Sequence, residues 1–348
     1  MLLFLVKRLV TMLVTAICLT IVVFALTNLP PNLEKIAKSE IGTRISDAEV
    51  TSWLDKNGFG APLLVRYGEW LGLLPGWTRT DENGVVYGRC IREGEDPATA
   101  PIRCGVLQGE WGYSRVFRQE VADVIARGLG LTGKLMFWVL LVMVPGALLT
   151  GVLAGMREGS RTDRALSTAS IVATATPEYV SGVVFIAVFT SSAVGLKWFN
   201  GSATSAMDDA TLVNFTLPVL TVALYAMGYV ARMTRASMAE VMTAQYIRTA
   251  RLKGVSFPKI VLRHALRNAL IAPFTVIMLQ IPWLLNGVVI VETLFNYKGF
   301  GWTLVQAAGN NDIDLLLGVS VVSVIVVLLT QLISDVGYVF LNPRIRLA

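Results

Sequence analysis

Six stretches of the chain are apolar almost without interruption, and the polar positions are arranged around them. Residues 9–29, 135–156, 210–231, 269–291 and 315–334 carry no charge, and 165–196 carries one, Glu178. A helix that crosses a bilayer needs about 20 apolar residues, so each run is long enough to span. The pattern predicts an all-α polytopic membrane protein with six transmembrane helices. Lys7 and Arg8 precede the first run as they would in a signal peptide. That run, however, exceeds the roughly 7–15 residues of a signal h-region, and TNLPP at its end offers no small-x-small cleavage site. It reads as a retained anchor.

The segment between the first two runs, residues 30–133, has a different grain. Helical spacing is present over 47–57 and over 62–74, where Leu63, Leu64, Tyr67, Trp70, Leu71 and Leu74 recur at intervals of three and four. Residues 75–107 are rich in Gly, Pro and charge and contain the turn signal DENG, so they read as a small loop-rich or β-hairpin insert. Helical spacing resumes over 113–127 and leads into the second span.

Composition agrees with the pattern. The chain is 54% hydrophobic and 16% charged, with mean hydropathy +0.61, whereas soluble domains carry about 25% charged residues. Lys and Arg mark the side on which short loops stay. With the N-terminus inside, the tip, 157–164, 232–268 and 342–348 hold 15 of the 30 cationic residues, and the two short external loops hold only Lys197 and Lys298. The remaining 13 lie between Pro30 and Lys134, and long segments cross largely regardless of charge. The expected orientation therefore places both termini in the cytoplasm and residues 30–133 on the far side of the membrane. The net charge of +6 follows from topology and calls for no nucleic-acid partner. Cys18 falls in the first span, where a packing role is expected. Cys90 and Cys104 fall in the external segment, where a disulfide is permitted. Closure of that loop would contribute roughly 3 kcal/mol in the chain-entropy picture. The alternative is a pair of free thiols.

Few residues offer chemistry. GLGLTGKL at 128–135 approaches a phosphate loop, but Leu135 stands where a hydroxyl must ligand Mg²⁺, and no strand precedes it. His264 is the only histidine, too few for a zinc site, and neither a Cys nor a carboxylate cluster accompanies it. No metal site and no catalytic constellation emerge, and a membrane-embedded enzyme would need a paired constellation. Glu178, next to Pro177 and Tyr179, is an intramembrane carboxylate, which either faces a translocation path or is a hydrogen-bonded packing residue. Gln280, Asn286 and Gln331 are further candidates for the path, with interhelical hydrogen bonding as the other reading. Gly151 and Gly155 form a G-x-x-x-G pair that fits a tight helix seam or ordinary glycine usage. Phe295, Tyr297, Phe300 and Trp302 follow the fifth run, suiting an interfacial belt or a short re-entrant helix at the outer mouth.

The densest charge lies in QYIRTARLKGVSFPKIVLRHALRNAL, residues 245–270. Arg248, Arg251, Lys253, Lys259, Arg263 and Arg267 stand there without a single acid. Gln245 to Lys253 is helical in pattern, Gly254 permits a left-handed turn, and Ser256 can cap a second helix with Pro258 in its first turn. Anionic lipid would account for the charge. A hinged pair of short helices fits docking on a partner better.

This stretch resembles the EAA loop of permease subunits in binding-protein-dependent ABC importers. Arg248, Thr249 and Ala250 stand at the EAA positions, Gly254 matches the glycine, and His264-Ala265-Leu266-Arg267 replaces I-x-L-P. The missing glutamate and proline, with RTARLKG and LRHALRNAL, are similar to the dipeptide/oligopeptide branch. So are MLLFLVKRLV, PLLVRYGEWL, GEWGYS, VVIVETLFNYKGFGW and NPRIR. The chain departs from the branch at Pro30-Pro31-Asn32, where P-G-D-P is usual, and in its insert at 75–107.

The resemblance implies a six-span permease subunit for di- or oligopeptides in a bacterial inner membrane, with residues 30–133 periplasmic, paired with a second, homologous permease subunit. Two cytoplasmic ATPases and an extracytoplasmic solute-binding protein complete the machine. It assigns ATPase coupling to Gln245, Tyr246, Arg248, Thr249, Ala250, Arg251, Lys253, Gly254, Pro258, Arg263, His264, Arg267 and Asn268. ATP and Mg²⁺ belong to the partner ATPases, and no cofactor is expected in this chain. Its parts would be the anchor 1–29, the external segment 30–133, the core 134–341 with the loop 232–268, and the tail 342–348. Relatives with the same loop carry opines, oligosaccharides and nickel chelates, and these stay open as substrates. An ion-coupled carrier or channel is the other class, with only Glu178 in its favour.

Overall fold

The computed structural model describes residues 2–42, 44–81, 84–91, 96–192 and 196–341, with the side chains of 2–5, 283, 285–287 and 338–341 excepted. The expected tail at 342–348, Glu82 and Asn83 of the DENG turn and the side chain of Asn286 lie outside the described residues.

Four apolar runs form long helices: α1 (Leu2–Thr27), α5 (Val121–Gly155), α8 (Leu212–Thr243) and α13 (Ile313–Leu341). Each holds a stretch long and apolar enough to cross a membrane. The other two runs are bent. The third divides at Thr176-Pro177 into α6 (Arg161–Ala175) and α7 (Glu178–Phe189), which meet at 104°. Proline cannot donate to the helix and disfavours helical geometry in the residue before it. The fifth is α11 (Ile271–Leu294), joined at 48° to α10 (Phe257–Ala269). The described residues thus hold four candidate spans, or up to six if each bent pair is one.

The chain divides into two compact units. One consists of Leu9–Arg127 with Thr303–Ile325. Here α2 (Pro30–Ile41) begins on a Pro pair, and α3 (Asp47–Lys56) opens on a capping box in which Ser46 and Glu49 each accept the other's backbone N–H. The next helix, α4 (Leu63–Leu71), stops where Gly72 turns left-handed at φ +82°. Phe24, Leu33, Ile36, Tyr67, Trp70 and Leu317 are among the residues of its buried core. The insert forms an antiparallel hairpin, β1 (Thr78–Thr80) with β2 (Val86–Gly88), in register Arg79 opposite Tyr87. Cys90 and Cys104 are joined by a disulfide. Gly76 packs against it so closely that a Cβ would lie 2.5 Å from the Cys90 sulfur.

The helical spacing over 113–127 does not hold at its start. Residues 113–120 form a second hairpin, β3 (Tyr113–Ser114) with β4 (Gln119–Glu120), and the helix begins only at Val121. Asp312 overrides the local pattern. Its buried Oδ2 accepts from Ser114 Oγ at 2.7 Å and from the Val116 N–H at 3.1 Å, pinning the turn.

The second unit is built on Gly128–Trp302 with short pieces from either end of the chain. Leu135, Val139 and Met143 of α5 interlock with Leu217, Val222 and Ala226 of α8 and with Leu284 and Val288 of α11. Glycine sets the closeness of α5 to α8. A Cβ on Gly151 would lie 2.4 Å from Thr234 Cβ and 2.5 Å from the Ala231 carbonyl, and one on Gly155 2.5 Å from the Arg235 carbonyl. The G-x-x-x-G pair is a helix seam.

Candidate functional site

The basic stretch is a hinged arm carried by α8. Ala244, extended at φ −63° and ψ 148°, ends α8 and starts α9 (Gln245–Leu252). Gly254 then adopts φ +72° and its N–H donates to the Arg251 carbonyl at 3.0 Å, while the Val255 N–H donates to the Ala250 carbonyl at 3.2 Å. Ser256 occupies the N-cap of α10, with Pro258 in the first turn, but its side chain makes no capping hydrogen bond. A Cβ on Gly254 would meet nothing within 4 Å, so backbone conformation alone reserves the position for glycine.

One face of the arm is a floor. Ile247 and Ala250 of α9 pack on Ile260, Val261, Ala265 and Ala269 of α10 and on Met238 and Met242 of α8. Burying Ile247 and Ile260 is worth roughly 1.5–3 kcal/mol each. Between Ile260 and Ala265 the helix widens into a π turn. Its five-residue step keeps both in the floor and leaves His264 half-buried at the flank. Asn268 Nδ2 donates to the Tyr246 hydroxyl at 2.9 Å, tying the two helices together.

The opposite face is open. Arg248, Arg251, Lys253, Lys259, Arg263 and Arg267 are all exposed, and none makes an ion pair among the described residues. Gln245, Thr249, Gly254 and Pro258 are exposed beside them. Leu252 and Leu262 stand among the cations at 82% and 68% exposure.

Two contacts that the sequence reading missed fix the root of this arm. The Arg157 guanidinium lies 5.2 Å from the centre of the Phe257 ring. Arg235 of α8 makes a two-pronged pair with Asp163 in the first turn of α6, Nε to Oδ1 at 3.0 Å and a terminal nitrogen to Oδ2 at 2.8 Å. Asp163 also accepts from the Gly159 N–H and from Ser167 Oγ. No local spacing relates residues 72 positions apart, so the pair carried no signal in the sequence.

The candidate path residues are not joined. Glu178 is the first residue of α7, buried, with Oε1 lacking a hydrogen-bond partner among the described residues. A carboxylate suits that end of a helix. Tyr179 is exposed, Gln280 half-buried and Gln331 exposed, and no hydrogen bond links the four among the described residues. The buried polar centre lies elsewhere, on Glu292. This residue, fully buried, accepts from Thr132 Oγ1 and, at 2.9 Å, from the Trp302 N–H. Gly299 and Gly301 make room for it; a Cβ on Gly299 would lie 2.1 Å from Oε1. Phe295 and Tyr297 are wholly buried beside it, so they are core residues and form no lipid-facing belt. Phe300 and Trp302 open α12 (Phe300–Gly309), the short helix expected there.

Residues 147–347, from the seam through the arm and beyond, match the family described as "Binding-protein-dependent transport system inner membrane component". The chain belongs to this family. Curated members similar to this inner membrane component include the glutathione transport system permease protein GsiC of Escherichia coli. That protein is 33% identical over 244 residues, covering 69% of this chain and 76% of the relative. The oligopeptide transport system permease protein AppB of Bacillus subtilis is 28% identical over 309 residues, 87% of each chain. The dipeptide transport system permease protein DppB of the same organism is 31% identical over 228 residues, 66% of this chain and 71% of the relative. The family match includes α8, the arm and α11, whereas the two β-hairpins lie ahead of it.

Proposed function

We propose that this inner membrane component is one of two permease subunits of an ATP-driven importer for di- and oligopeptides. A solute-binding protein would deliver the peptide from outside. The observation that carries the reading is the arm, a hinged pair of helices with a packed floor and an open cationic face. It lies within a chain whose relatives are named for dipeptide, oligopeptide and glutathione transport. A floor of this kind resists deformation, so force applied to α9 passes into α8 and α11. In the proposed machine, a cytoplasmic ATPase grips the arm, and its nucleotide-dependent closure favours one of two arrangements of the spans.

The rest of the reading follows from charge and length. Both bent pairs count as spans, giving six, with the termini and the arm cytoplasmic and 30–133 periplasmic. The external segment with its insert at 75–107, the core 134–341 and the tail 342–348 are its functional parts. ATP and Mg²⁺ reside in the ATPases, and this subunit catalyses no reaction. Glu178, Tyr179, Gln280, Asn286 and Gln331 are the candidates for the path, which would be formed together with the second permease subunit.

Affinity capture of the full chain from membranes tests the assembly. It should bring with it a second permease-type subunit and ATPase subunits, and reconstitution with the binding protein should give ATP-dependent peptide uptake. Capture of the chain alone, with uptake that follows an ion gradient and ignores ATP, would overturn the reading.

A further inference from the structure

The unit formed by Leu9–Arg127 and Thr303–Ile325 encloses a cleft of about 230 Å³. Ligand clefts commonly run from ~300 to 1,000 Å³, so this one suits a molecule of amino-acid to dipeptide size. Trp53, Phe59, Trp70 and Trp77 form apolar walls, and Arg66, Glu69, Arg89 and Asp314 bring both signs of charge into the lining. Most of the lining lies ahead of the segment that carries the family match, and Asn311, Ile313, Asp314 and Leu317 lie within it.

The charged groups do not satisfy one another. Arg66 and Glu69 are nine-tenths or more buried. Arg66 is held in place, since it donates to Asn28 Oδ1 and its guanidinium lies 5.1 Å from the centre of the Phe59 ring. Glu69, Arg89 and Asp314 close no ion pair within 4 Å among the described residues, although Arg89 feels the charge of both carboxylates. Burial pushes the Glu69 carboxyl up and the Arg66 and Arg89 guanidiniums down. Charges that are partly withdrawn from water and close no ion pair are incompletely compensated. A bound molecule with a carboxylate at one end and an ammonium at the other would compensate both signs together.

We propose that this cleft binds the zwitterion of a short peptide or amino acid. Its carboxylate lies toward Arg66 and Arg89, its ammonium toward Glu69 and Asp314, and an apolar side chain rests against the tryptophans. The choice of a peptide rests on the import reading above, whereas the zwitterionic form follows from the charges of the cleft alone.

Calorimetric titration of the purified full-length transporter, free of its solute-binding protein, tests the site with Ala-Phe. The wild type should bind saturably, and both N-acetyl-Ala-Phe and Ala-Phe-amide should bind about tenfold or more weakly, since each loses a charge-assisted contact. Glu69→Gln should shrink the N-acetyl penalty to about threefold or less and leave the amide penalty. Arg89→Gln should do the reverse, a crossed pattern that a misfolded variant cannot produce. The comparison of free and blocked peptides on the wild type needs no variant at all. Absence of saturable binding, equal binding of blocked and free peptides, or penalties untouched by either substitution would each overturn the proposal. Peptide uptake measured on the same preparation separates the two claims. Uptake with an unresponsive cleft removes this inference only, and loss of ATP-driven peptide uptake removes the import reading.

Discussion

Arg235 reaches from α8 to Asp163 at the start of α6 and grips both carboxylate oxygens. Asp163 is almost fully buried, and Glu158 stands 3.4 Å from the same guanidinium as a second, more exposed partner. The fork geometry belongs to arginine, so Arg235→Lys should keep the charge and lose one contact, costing about 1–2 kcal/mol. Asp163→Asn should cost more, about 2–3 kcal/mol. Glu158 and solvent at the half-open Arg235 moderate the ~3–5 kcal/mol seen when a buried pair is broken. Thermal unfolding of the reconstituted transporter reads both, and the double variant should cost less than the sum of the single ones.

Gly254 gives a sharper test of the arm because its surroundings are empty. Size is not the constraint there, so substitutions should rank by their tolerance of positive φ. Gly254→Asn should retain most ATP-driven uptake. Gly254→Val should lose most of it, and Gly254→Pro should be worst, since it also removes the N–H that donates to Arg251. All three should reach the membrane in normal amount. Uptake by Gly254→Pro at the wild-type rate would show that the hinge does not transmit force.

These two cases mark how far the sequence could be read. The apolar runs, the Gly254 turn, the amphipathic α4 and the insert hairpin are local, set by spacing and by residues with few allowed conformations, and their positions were legible. Asp163 with Arg235, and Asp312 with Ser114, are encounters between residues 72 and 198 positions apart, and nothing in either neighbourhood announces them. The π turn in α10 was hidden for a related reason: it is the packing of Ile260 and Ala265 on α8 that selects the five-residue step. Glu292 could be seen at the edge of the fifth run, but not that Gly299 and Gly301 fold back to enclose it. The charges of the cleft were likewise scattered over two helices and a strand end.

The seam of α5 against α8 predicts a contrast between glycines of one helix. At Gly151 a methyl group would meet a backbone carbonyl and Thr234 Cβ, neither of which can swing away. Gly151→Ala should therefore destabilise by about 1–3 kcal/mol through overpacking. Gly130 and Gly133 have nothing within 4 Å of the same methyl. Alanine there should be neutral or stabilise by up to ~1 kcal/mol, the usual helix preference over glycine. Unfolding temperatures of the three variants in one lipid mixture decide the matter, and equal shifts at all three positions would exclude a close-packed seam.

Cysteine chemistry offers a test of the unit built on Leu9–Arg127 that needs no transport assay. The chain has three cysteines: Cys90 and Cys104 are bonded to each other, and Cys18 is free and exposed. Maleimide labelling of denatured, unreduced protein should therefore modify one thiol, and prior reduction should raise the number to three. Cys90→Ser with Cys104→Ser removes a cross-link over 14 positions, worth roughly 3 kcal/mol in the chain-entropy account. The loss should appear as faster proteolysis of residues 75–107 while α8 and the arm keep their protection, because the disulfide and the arm's floor belong to separate compact units. Equal proteolysis of both regions would show instead that the bond stabilises the whole chain. Three labelled thiols before reduction would show that the bond is absent.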